Sequence, residues 1–132
     1  MNKDYNRREQ ILFDEPYNKD HYVCGCRRFE CSFSKMKQLI EEGFIDPHEA
    51  QNDSPTTEEF MEYAENFNDV YFECYAISPD RDDYRVTIEG VDIDIPADEY
   101  DLVSMAVQFF RYADEFSFDY YGGFYTLHAW WD

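Results

Sequence analysis

Alternation of apolar and polar positions is the clearest signal along the chain. In "DVYFECYAI" (69–77), Val70, Phe72, Cys74 and Ala76 fall on one side and Tyr71, Glu73, Tyr75 and Ile77 on the other, the period of two of a strand. "YRVTIEG" turns Tyr84, Val86 and Ile88 inward. "VDIDIP" repeats the pattern with Val91, Ile93 and Ile95 inward and Asp92 and Asp94 outward. Gly90, between these two segments, marks a tight turn or a bulge. "HYVCGCRRFECSF" (21–33) also reads as extended, and "FSFDYYGGFYTLHAWW" reads as a hairpin turning at Gly122 and Gly123.

Helical spacing appears in three places. "SKMKQLIEEGF" sets Met36, Leu39 and Ile40 on one face, with Ser34 as its cap and Gly43 at its end. "TTEEFMEYAENF" begins after Pro55 at Thr56 or Thr57 and turns Phe60, Ala64 and Phe67 inward. "ADEYDLVSMAVQFFRYADEF" carries an apolar stripe of Leu102, Met105, Ala106, Phe109 and Ala113. Residues 1–20 are polar and contain Pro16, which predicts an arm outside a domain spanning 21–132. The order of elements predicts an α+β fold, an antiparallel sheet of about five strands with three helices on one face.

Composition fits one folded domain. The chain has 132 residues, of which 44% are hydrophobic and 20% aromatic, too many for a disordered acidic segment. No apolar run approaches the ~20 residues of a membrane helix, and "MNKDYNRREQ" lacks the apolar stretch of a signal peptide. A cytoplasmic protein with its four cysteines reduced is expected.

Charge changes the picture. Through Lys37 there are eight basic and six acidic residues; from Gln38 onward only Arg81, Arg85 and Arg111 oppose 24 acids, giving a net charge of −19 for the whole chain. Such a balance repels nucleic acid and anionic membranes and attracts basic proteins. Asp92 and Asp94, two apart on a strand, stand ~6.6 Å from each other on its outer side, near the scale of successive phosphates. Glu58, Glu62 and Glu65 form a second row, on a helix without a basic residue. Asp80, Asp82 and Asp83 cluster at a turn. Such rows, brought to one side, would offer a phosphate-like surface to a basic groove; the competing reading is a solvated acidic shell with no partner.

Tyr71, Tyr75, Tyr120, Tyr121, Tyr125 and Trp131 are candidates for an interface, unless a helix covers the second sheet face and buries them. Exposure is expected near the Gly-Gly turn, at Tyr121 and Tyr125.

No cofactor, metal site or catalytic residue is expected. Cys24, Cys26 and Cys31 with His21 or His128 lack the paired spacing of structural zinc ligands and read better as small core residues. "SPDRDD" and "DIDIPADEYD" do not match a calcium loop. His21, His48 and His128 stand apart in the sequence, and no phosphate-cradling glycine loop or nucleophile elbow is present.

"QNDSPTTEEF", "ISPDRDDYRVTIEG" and "AWWD" resemble small acidic proteins carried on plasmids, conjugative elements and phages of gut Firmicutes, over roughly residues 29–132. That family supplies no catalytic residues. The resemblance implies a mobile-element setting, in which small acidic proteins often resemble anti-CRISPR or antirestriction inhibitors, many of them DNA mimics, an analogy of size, charge and setting. The sequence thus leads to a non-enzymatic binding protein. Its expected partner is a basic nucleic-acid-binding protein or host defence nuclease, contacted through Glu58, Glu62, Glu65, Asp80, Asp82, Asp83, Asp92 and Asp94, with Tyr121 and Tyr125 as anchors. Two other readings stand beside it: an immunity protein against a basic nuclease toxin, and an accessory or regulatory protein whose charge serves solubility.

Overall fold

Five strands, β1 (Cys26–Ser32), β2 (Asp69–Ile77), β3 (Val86–Pro96), β4 (Glu115–Tyr121) and β5 (Phe124–Trp130), form one sheet of order β1-β2-β3-β5-β4 in the computed structural model, which describes residues 1–132. All neighbours are antiparallel. The two segments on either side of Gly90 are one long strand. Glu73 pairs with Gly90 and Cys74 with Ile88, so Glu89 is the extra residue of a bulge. Gly122 and Gly123 both take positive φ (59° and 86°), which a two-residue hairpin turn requires, and Tyr121 pairs with Phe124 across them.

Four helices accompany the sheet, one more than the sequence predicts: α1 (Tyr5–Phe13), α2 (Phe33–Glu41), α3 (Thr57–Ala64) and α4 (Tyr100–Phe110). Ser32, not Ser34, caps α2. The last strand residue is still extended, and its hydroxyl accepts from the Lys35 N–H, so strand passes into helix without a loop. Thr56 caps α3 in a reciprocal box with Glu59. The helices cover the face bearing Cys31, Phe72, Cys74, Val91, Ile93, Leu127 and Ala129, all buried. Phe60 joins the layers, edge-on to Phe72 (centroids 6.1 Å apart) and to Trp131 (5.3 Å). No helix is long and apolar enough to cross a membrane.

The expected arm over residues 1–20 is instead part of the domain. Ile11 and Leu12 of α1 belong to the core cluster, and Arg8 and Glu9 are 0% and 1% exposed. Two of the four inward residues of the helix are charged, which hides its amphipathic period from the sequence. The cysteines also divide. Cys31 and Cys74 are buried, whereas Cys24, expected in the core, sits exposed in a turn with φ 54°, and Cys26 is half-buried.

Candidate functional site

The sheet has one face free of helices, and strand register determines what it displays. β1 contributes Arg28 and Glu30; β2 contributes Asp69, Tyr71, Glu73 and Tyr75. β3 contributes Asp92 and Asp94, together with Glu89 from the bulge. β5 adds Phe124, Thr126, His128 and Trp130, and β4 adds Glu115, Ser117, Asp119 and Tyr121. Glu30, Asp69, Glu73, Glu89, Asp92, Asp94, Glu115 and Asp119 thus share the face with Arg28 and His128, and with Arg85 at the β2–β3 end, where it donates to Thr87 and to the Tyr75 hydroxyl. Glu30 lies directly opposite Glu73, and Asp69 directly opposite Asp94. Like charges so placed destabilise a ladder.

At the centre, β2, β3 and β5 bring Glu73, Asp92 and His128 together. His128 Nδ1 lies 2.7 Å from Asp92 Oδ1 and 3.0 Å from Glu73 Oε2. Burial, followed by the hydrogen bond and charge of Asp92, pushes the Glu73 carboxyl up to about 7. The bond from His128 goes to Asp92, and Glu73 Oε2 is shut off from solvent without a hydrogen-bond partner. Gly90 permits this position: a Cβ there would approach Glu73 Oε2 to 3.2 Å and the Ala129 carbonyl oxygen to 2.9 Å. At the rim of the cluster, Arg28 Nε sits 3.3 Å from Glu89 Oε1. Thr126 donates to Asp94 Oδ1 at 2.8 Å.

The residues expected to bind a partner do not all meet here. Asp92 and Asp94 lie on the open face, and Tyr121, 85% exposed, stands at its edge. Tyr125 does not join it. It pairs with Tyr120, one register step from the Tyr121–Phe124 pair, and therefore points to the other face, stacked 4.7 Å from Phe118. Phe124, 47% exposed, takes the place expected for Tyr125. Asp80, Asp82 and Asp83 sit in the β2–β3 turn, where Arg81 and Arg85 bind Asp83 and the Tyr17 hydroxyl donates to Asp80. Glu58, Glu62 and Glu65 line an open groove of about 510 Å³ between α2 and α3, with Lys37, Phe33, Ile40 and Met61. That groove belongs to the helical layer, on the far side of the sheet from Asp92. The acidic rows therefore occupy separate sides.

Sequence reasoning missed His128, Glu73, Glu30, Asp69, Glu115 and Asp119 as parts of one surface. Alternation had already turned Glu73 outward; what was lacking was the pairing that sets it beside His128. The chain matches no protein-family model, no curated protein and no solved structure.

Proposed function

We propose that the chain is a non-enzymatic binding protein whose open sheet face docks on a basic, nucleic-acid-binding surface of another protein. The observation that carries this reading is the layout of the face: eight carboxylates on four of its five strands, opposed by Arg28 and His128, with Arg85 at its β2–β3 end. Strands ~4.8 Å apart, with outward residues ~6.6 Å apart along each, make a grid of negative charge at roughly phosphate spacing. Tyr121, Phe124 and Tyr71, which is 48% exposed, add apolar contact area at the hairpin end and on β2. A host defence nuclease of a bacterium carrying a mobile element is the kind of target such a surface suits.

The test separates the two acidic sides of the molecule. Immobilised wild type is exposed to host lysate at low salt, beside a face variant (D69N/D92N/D94N/D119N) and a helix-row variant (E58Q/E62Q/E65Q). The reading expects a nucleic-acid-binding protein retained by wild type and by the helix-row variant, lost by the face variant, and released as salt shortens the screening length from ~10 Å at 0.1 M toward ~3 Å at 1 M. The captured protein's own nucleic-acid binding should be competed by the chain. A partner retained equally by the face variant refutes the assignment.

A further inference from the structure

The centre of the open face carries an inference that does not depend on any protein partner. Three side chains of two metal-binding types, one imidazole and two carboxylates, converge from three adjacent strands, and their donor atoms all lie within 4.8 Å of one another. A tetrahedral zinc ion with bonds of ~2.0–2.1 Å holds its ligand atoms roughly 3.3 Å apart. His128 Nδ1 stands 2.7 Å and 3.0 Å from its two carboxylate neighbours, so side-chain rotations of about half an ångström open the cluster to that spacing.

A second observation points the same way. The Glu73 Oε2 atom is shut off from water, and its neighbour His128 Nδ1, 3.0 Å away, is bonded to Asp92 instead, so the oxygen receives no hydrogen bond. An unsatisfied buried acceptor is destabilising, and more so if charged. The position opposite Glu73 is a glycine, and a side chain there would crowd this same oxygen. No arginine or lysine answers the pair: on this face Arg28 is bound to Glu89, and Arg85 to Asp83 and Glu49 at the β2–β3 end. The cluster thus pairs a carboxylate oxygen without a hydrogen bond with a second carboxylate and an imidazole, with no arginine or lysine beside them.

The geometry points to a metal site: we propose that Glu73, Asp92 and His128 bind one first-row divalent cation, with His128 Nδ1 and one oxygen of each carboxylate as protein ligands. The imidazole favours zinc and its transition-metal neighbours over calcium or magnesium, which prefer oxygen donors throughout. Occupancy would place two positive charges in the middle of the acidic face and would lock β2, β3 and β5 in register.

Zinc alone is the probe, titrated calorimetrically into metal-free full-length protein. Because exposed Cys24 and half-buried Cys26 are competing thiols, the parent for all comparisons is C24S/C26S. One zinc per chain is expected, with binding weakened at least about tenfold in E73Q, D92N and H128Q and less than twofold in D94N, the neighbouring outward position on the same strand. Zinc should raise the melting temperature of the parent and leave that of H128Q unchanged. A readout that needs no substitution at the site is the nitrogen resonances of the three histidines. Zinc must shift those of His128, while His21, beside Glu15, and His48, beside Glu58, stay in place. Equal weakening by D94N would identify diffuse attraction to a −19 chain and overturn the proposal, as would full affinity in a folded H128Q variant or a first shift at His21.

Discussion

Replacing Arg8 with Ala tests how firmly the first twenty residues belong to the fold. The Arg8 side chain is fully enclosed. Its guanidinium donates to the Ile77 carbonyl at 3.0 Å, to the Tyr22 hydroxyl at 3.1 Å and, more weakly, to the Arg85 carbonyl at 3.5 Å. It lies 4.4 Å over the Tyr84 ring, and its Nε is 3.8 Å from the buried Glu9 carboxylate. R8A removes these contacts together, leaves a cavity and strands Glu9 without a cation, the situation in which breaking a buried pair costs about 3–5 kcal/mol. One effect limits the loss. Burial already holds the Glu9 carboxyl above its ordinary range, so Glu9 can take up a proton instead of remaining charged, and Tyr22 still bonds to it.

The expected cost of R8A is therefore near 3 kcal/mol, the low end of that range. Urea unfolding followed by the fluorescence of Trp130 and Trp131 measures it. R8M/E9L, which replaces the pair with apolar volume, should recover most of the loss relative to R8M alone, since such exchanges are often neutral or stabilising. If R8A costs less than about 1 kcal/mol, the scale of an exposed pair, then α1 is not part of the cooperative unit and the reasoning fails.

Gly90→Ala should destabilise. A Cβ 2.9 Å from the Ala129 carbonyl oxygen costs about 1–3 kcal/mol of overpacking, more than the ~0.4–1 kcal/mol gained from a stiffer unfolded chain; a melting temperature at or above wild type would count against the bulge geometry. Asp69→Asn should stabilise the fold by about 0.2–1 kcal/mol by relieving the cross-strand repulsion with Asp94. Urea unfolding at several salt concentrations should show that gain shrinking as salt rises, and a constant gain would mean that repulsion is not its source. A thiol reagent at pH 8 should modify Cys24 quickly and half-buried Cys26 more slowly. Cys31, whose thiol burial pushes up to about 12, and the fully buried Cys74 should react only on unfolding, and fast labelling of all four would show a looser core.

What could be read from the chain was local. Alternation placed Phe72 and Ile93 inward and Asp92 and Asp94 outward because a strand's period is independent of its neighbours. The two glycines marked the last hairpin, and that turn held the information that the expectation for Tyr125 overlooked. A two-residue loop at 122–123 pairs Tyr121 with Phe124, which leaves Tyr125 on the opposite face. Register between distant strands has no such local marker. The meeting of Glu73 with His128 requires β5 to insert beside β3 with β4 outside it, a choice made by the whole core. α1 escaped notice for a different reason: its inward face mixes Ile11 and Leu12 with Arg8 and Glu9, and only the Arg8 contacts with the β2–β3 end make that burial tolerable.

A solubility shell and a docking surface make different demands on where acids stand. Solubility is served by any exposed carboxylate, and the helix-row glutamates, on the far side of the sheet, satisfy it without conflict. It gives no reason to set Glu30 against Glu73 and Asp69 against Asp94 at directly opposed ladder positions, where repulsion is strongest, or to enclose a carboxylate oxygen without a partner. Positive charge is also distributed unevenly: Arg81 and Arg85 serve the β2–β3 turn, Arg7 bridges to Glu42, and Arg27 reaches Glu15, all away from the centre of the face. A face that stacks anions while the arginines brace other regions is the layout that the proposed basic partner, or the proposed cation, would compensate.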